Sequence, residues 1–184
     1  YGALSGTSLS MSGEGLFGGA ITDGTNKLKV TGPALFSSSV TASSLIKSGG
    51  TSTQALIADG SVQTLTSGIY TPTITNTSNI TSTTARTTTY TRVGNTVTVS
   101  GWVTITTTSN EVATEIGVSL PIASAFTAAY DLSGSGLYEI STTSYTQFTV
   151  KPDTTNDRAK IVFYPFGGSG TAVETQFSFQ YQVL

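Results

Sequence analysis

Glu174-Thr-Gln-Phe-Ser-Phe-Gln-Tyr-Gln-Val183 alternates strictly, with Phe177, Phe179, Tyr181 and Val183 on one side of an extended chain and Ser178, Gln180 and Gln182 on the other. A period of two is that of a strand with one face buried; a helix repeats about every 3.6 residues. The same period recurs upstream. In Thr96 to Thr106 the apolar set is Val97, Val99, Val103 and Ile105 with Gly101 in register, which puts Trp102 on the opposite, mainly Thr-lined face. Further strands are expected at Tyr70 to Thr75, Thr87 to Val93, Thr114 to Leu120, Ala129 to Ile140, Tyr145 to Lys151 and Ala159 to Phe166. Between them lie the turn signals Gly94-Asn95, Ser109-Asn110, Pro152-Asp153 and Gly167-Gly168. Short strands at this spacing predict an antiparallel β-sandwich, jelly-roll-like, over residues 69–184.

Upstream the texture changes. Residues 1–68 hold most of the glycine punctuation, and between glycines lie β-like pieces such as Leu16 to Ile21, Lys27 to Val30 and Leu35 to Val40. Each is too short to stand as an independent strand. In Lys27-Leu-Lys-Val30 the two apolar residues share one face and the lysines the other, while Asp23-Gly24 and Asp59-Gly60 read as tight turns. A lone copy of this stretch buries only a thin apolar line, so the expectation is a slender stem of three intertwined chains, with a boundary near Ser67-Gly68. A flexible Gly/Ser linker is the competing reading, opposed by the regular return of apolar residues. So is one large sandwich, opposed by the glycine breaks.

Composition points the same way. About a third of the residues are Ser or Thr and only 10% are charged, which favours β-branched strands over helices and leaves few charges to guard a sheet edge. An obligate oligomer is therefore expected. A net charge of −2, with lysines and arginines scattered along the chain, gives no basic footprint for nucleic acid. Without His or Cys the sequence lacks Ser-His-Asp triads, Cys nucleophiles and thiolate or imidazole metal sites. No cofactor is expected, and no apolar run approaches a membrane span. The chain starts at Tyr1 and reads as a piece of something longer.

Three phrases carry a family resemblance: Lys27-Leu-Lys-Val-Thr-Gly32, Ala34-Leu-Phe-Ser-Ser-Ser-Val-Thr-Ala-Ser43 and Ser48-Gly-Gly-Thr-Ser-Thr-Gln-Ala-Leu-Ile-Ala-Asp-Gly-Ser61. They resemble the tail-fibre and spike proteins of bacteriophages, especially those of Bacteroidota and flavobacterial hosts. Tyr70-Thr-Pro-Thr-Ile-Thr-Asn76, Tyr90-Thr-Arg-Val-Gly-Asn-Thr-Val-Thr-Val-Ser-Gly101 and Gly117-Val-Ser-Leu-Pro-Ile-Ala123 resemble carboxy-terminal domains of the same class. The resemblance implies a homotrimeric, virion-exposed appendage whose distal domain touches a glycan or protein on the host surface and whose upstream region joins other virion proteins.

Candidate contact residues are aromatic. Trp102, the single Trp, is a platform for a sugar ring or an anchor between protomers, and Tyr138, Tyr145, Tyr164 and Phe166 lie near turns, where loops present contacts. Glu111, Glu115, Asp131, Glu139, Asp153, Asp157 and Glu174 are the carboxylates a glycan hydrolase would draw on, but they read as solvated loop residues. Asp153, Asn156 and Asp157 supply oxygen ligands without a calcium-loop spacing. Asn76-Thr-Ser and Asn79-Ile-Thr match the glycosylation pattern and carry no meaning in a phage product. The expected function is non-enzymatic attachment. Its rivals are a purely structural virion component, a depolymerase and a bacterial surface adhesin.

Overall fold

The structure is a computed structural model that describes residues 39, 41, 47–141 and 144–183. Most of the expected stem lies outside the described residues. The chain divides into two compact units, Tyr1–Leu45 and Ile46–Leu184, and everything below concerns the second. Among the described residues there is no helix. The strands are β1 (Gln54–Leu56), β2 (Val62–Tyr70), β3 (Ile74–Ser78), β4 (Ile80–Ala85), β5 (Thr88–Val93), β6 (Thr96–Thr107), β7 (Thr114–Val118), β8 (Leu132–Ser141), β9 (Ser144–Asp153), β10 (Arg158–Phe163) and β11 (Ala172–Gln182).

All join one antiparallel sheet in the order β1-β2-β5-β6-β11-β8-β9-β10-β7-β3, with β4 also on β6. The connections force this sheet to curl. β2 and β3 stand eight places apart, about 38 Å on a flat ladder with ~4.8 Å between strands. Only residues 71–73 join them, a reach of at most about 14 Å. The two ends therefore meet, and at the seam Tyr70 Oη donates to Ser119 O (3.2 Å) while Thr73 N–H donates to Ser119 Oγ (2.9 Å). A second closure lies at Asn79, where the chain passes from β3 on β7 to β4 on β6.

The inner face is built by complementary sizes. Across β6, β11, β8 and β9 one row in register reads Gly101, Phe177, Gly136, Phe148, and the next reads Val99, Phe179, Gly134, Val150. The glycines leave room for their neighbours: a Cβ on Gly136 would strike Gln176 O and the Phe148 ring, and one on Gly101 would strike the buried side chain of Thr88. Val97, Val103, Ile105, Ile116, Val118, Leu132, Tyr138, Ile161, Phe163 and Tyr181 are among the other residues of the core. Burying apolar area at roughly 25 cal/mol per Å² is what holds the curl closed.

Several elements differ from expectation for local reasons. The predicted strand over Tyr70 to Thr75 is interrupted at buried Pro72, which has no N–H for a ladder, and β4 emerges from a Thr/Ser run with no visible alternation. Ala129 to Ile140 starts as a strand only at Leu132, because Asp131 Oδ2 accepts the N–H groups of Thr127 and Ala128 (both 2.7 Å) and holds the preceding residues in a turn. β2 runs through Ser67-Gly68 without a break, so the expected boundary falls inside a strand. Asp59-Gly60 is the turn of the β1–β2 hairpin, with Gly60 at φ 85° and Ser61 N–H on Asp59 Oδ1 at 2.8 Å.

Candidate functional site

The five aromatic candidates go to three different places. Tyr138 points into the core: it is fully buried, its ring lies 4.8 Å from that of Phe163, and its hydroxyl is 3.4 Å from Thr107 Oγ1. It presents nothing to a receptor, and its nomination as a contact residue is corrected on that ground. The sequence held the signal, because Leu132, Gly134, Gly136 and Tyr138 share one face while Ser133 and Ser135 share the other.

Trp102 sits on the outer face of β6, half-buried, in a shallow depression of about 650 Å³. Its neighbours in the depression include the hydroxyls of Thr89, Ser100, Ser135 and Ser178 and the Gln176 amide, beside Leu137 and Glu174. The indole face is already occupied. Arg86 lies over it with the guanidinium carbon 4.8 Å from the ring centroid, and Arg86 Nε and Nη2 both reach Thr104 Oγ1 at 3.3 Å. A sugar stacking on Trp102 must displace this cation or meet the indole edge. Arg86 was not a sequence candidate.

Tyr145 is exposed on β9. It lies on the same outer face, in the row that runs Thr104, Glu174, Glu139, Tyr145 across four strands. Three strand spacings, about 14 Å, separate its strand from that of Trp102.

Tyr164 and Phe166 flank buried Pro165 in the connection from β10 to β11, and Phe166 is 74% exposed. This connection is tied to the loop between β6 and β7. Glu111 N–H donates to Pro165 O (2.7 Å), Ser169 N–H to Asn110 Oδ1 (3.2 Å) and Gly170 N–H to Thr107 O (2.8 Å). Val112, next to Glu111 and likewise exposed, joins the two aromatics beside this brace. A lone apolar residue in the polar run Thr108-Ser-Asn-Glu-Val112 was its signal. The β6–β7 loop is itself held from the Asn79 corner. Asn79 Nδ2 donates to Ser109 O (2.9 Å) and Thr114 Oγ1 (2.7 Å), and Asn79 Oδ1 accepts Ser109 N–H (2.9 Å).

Four of the seven candidate carboxylates, Glu115, Asp131, Asp153 and Asp157, have structural partners. Glu115 pairs with Lys160 at 3.4 Å, and Asp157 Oδ1 accepts Phe126 N–H at 2.7 Å. Asp153 Oδ2 takes Arg158 Nε at 2.8 Å and Asn156 Nδ2 at 2.9 Å. Burial pushes the Asp153 carboxyl up, but the Asn156 and Arg158 hydrogen bonds, the Arg158 charge and Thr155 N–H outweigh it and leave it below the ordinary carboxylate range. Glu139 and Glu174 face each other in register across β8 and β11. No group of three or more metal-ligating side chains occurs among the described residues, and no helix there is long and apolar enough to cross a membrane.

A scan against protein-family models finds no match to this chain, and no curated protein matches it.

Proposed function

We propose that the chain is a virion-exposed fibre or spike protein that attaches a phage to its host surface, three copies displaying β-sandwich heads on an intertwined β-stem. One observation carries this reading: Tyr164, Phe166 and Val112 stand exposed on two loops already hydrogen-bonded to each other and to the sheet. Large aromatics on pre-ordered loops supply contact area at little ordering cost. Three heads per fibre multiply a modest affinity by effective concentration. The outer face around Trp102, rich in hydroxyls and amides, offers glycan contacts beside them.

Phage carrying Tyr164→Ser with Phe166→Ser test the reading. We expect normal particle yield and at least a tenfold slower adsorption, about 1.4 kcal/mol in the barrier to attachment. Unchanged adsorption refutes the role of these loops. Failed assembly favours a structural virion component instead.

A further inference from the structure

β2 leaves one side open. Leu65 N–H donates to Thr53 O on the β1 side, whereas Thr64 O accepts Gly94 N–H on the β5 side. Odd-numbered residues of β2 therefore aim their backbone groups away from β5. The β1 ladder covers only Val62 to Thr64, so among the described residues nothing pairs with the N–H and C=O of Ser67 and Ile69, which lie about 6.8 Å apart. The outer face of the same stretch carries large apolar side chains between uncharged polar ones. Ile69 is 71% exposed, and exposed Leu65 stands directly opposite exposed Val93.

Folded proteins blunt such edges with Lys, Pro or a bulge. Val62–Tyr70 contains no charged residue and no proline, and its register with β5 is unbroken from Leu65 to Tyr70. The chemistry that satisfies this edge is another β-strand. An interface between identical copies sets like charges near one another, and a surface without charge escapes that cost.

We propose that the open edge at Ser67 and Ile69, together with Leu65, Ile69 and Val93, is the surface through which this chain joins a second copy of itself. The proposal rests on the fibre reading in one respect. β1 and most of β2 lie within residues 1–68, the segment read as an intertwined stem, so copies joined through that segment bring this hairpin into their contact.

Native mass spectrometry and light scattering of the full chain provide the test, comparing wild type with Ser67→Pro and with the pair Leu65→Lys and Ile69→Lys. The Ser67 N–H points away from β5, so proline there removes an edge donor and leaves the β2–β5 ladder intact. We expect a wild-type trimer and at least a tenfold rise in its dissociation constant in both variants, with unchanged far-UV circular dichroism. Should the lysine pair fail to fold, Leu65→Thr with Ile69→Thr replaces it. Variants that stay as oligomeric as wild type overturn this surface and leave the trimeric fibre standing. A wild-type dimer lost in the same variants keeps the surface and overturns the count of three. A wild-type monomer at about 100 µM, a concentration that detects association of only ~5.5 kcal/mol, overturns both, while adsorption through Tyr164 and Phe166 is judged separately.

Discussion

At Gly136 a methyl group has nowhere to go. Its Cβ would meet a backbone carbonyl, that of Gln176, as well as the Phe148 ring. A ring can turn; a ladder carbonyl cannot without opening β8 from β11. Gly136→Ala should therefore lower unfolding free energy by about 3 kcal/mol or more, read in a denaturant titration, and adding Phe148→Leu should recover only part of it. The opposite sign is expected at Thr175. That side chain is fully buried and its Oγ1 has no hydrogen-bond partner, as is also true of Thr146, which flanks the same Tyr138. Valine keeps the shape and removes an unpaid desolvation cost, so Thr175→Val should stabilise by about 1 kcal/mol and raise the melting temperature by roughly 3–5 °C. A lower melting temperature would mean that the hydroxyl is satisfied.

Among elements, the β3–β4 corner does the most with one side chain. Asn79 adopts φ 56°, a left-handed conformation that Asn tolerates and β-branched residues do not. From it the carboxamide fixes Ser109 of the β6–β7 loop and Thr114 at the start of β7. Asn79→Ala loses both the conformation and the bonds, at about 2–4 kcal/mol. Asn79→Gly keeps the conformation and should cost less. Protease nicking within residues 108–113 should rise in both, and if nicking rises in neither, the corner does not hold the loop. None of this was legible in the sequence, where Asn79-Ile-Thr looked like a chance triplet. Strand existence was legible wherever a buried face imposed a period of two, as in β6 and β11, and the face of Trp102 followed from it. Pairing was not. Placing β11 between β6 and β8, or β4 and β5 end to end on β6, depends on contacts distant in sequence that no local pattern encodes. The candidate site was half legible for the same reason: Tyr164 and Phe166 could be placed near a turn, at the end of the strand expected over Ala159 to Phe166, but that strand stops at Phe163 and the second loop that braces them arrives from fifty residues away.

For the whole molecule, closure of the sheet depends on tyrosine hydroxyls at the places where the curl is sealed. Tyr70 bonds across the seam to Ser119. Tyr181 Oη donates to Ile122 O (2.6 Å) and accepts Ile122 N–H (3.2 Å). Burial raises both phenols, Tyr70 further still and Tyr181 to about 12, the latter against the opposing pull of its Ile122 bond and the Arg92 charge. Burial also raises Tyr138. A phenol that holds its proton more tightly when folded than at its unfolded value of about 10 contributes stability that is complete below pH 10 and lost as pH climbs through the folded value. Carboxyls run the other way. Asp131, lowered by hydrogen bonds from Ala128 and Thr127, and Asp153 contribute above about pH 3.9 and lose that contribution as pH falls through their folded values. Between these limits no histidine titrates. Melting temperature plotted against pH should therefore be flat from about 5 to about 9.5 and fall on both sides. Asp153→Asn should shallow the acid limb, lower the plateau by the contribution of the lost Arg158 pair, and leave the alkaline limb unchanged. Tyr70→Phe should shallow the alkaline limb alone while lowering the plateau by the roughly 1 kcal/mol of one lost hydrogen bond. A step centred between about pH 6 and 7 has no side chain in this sequence to produce it, and an alkaline limb indifferent to Tyr70 would mean that the seam is sealed by something other than that hydroxyl.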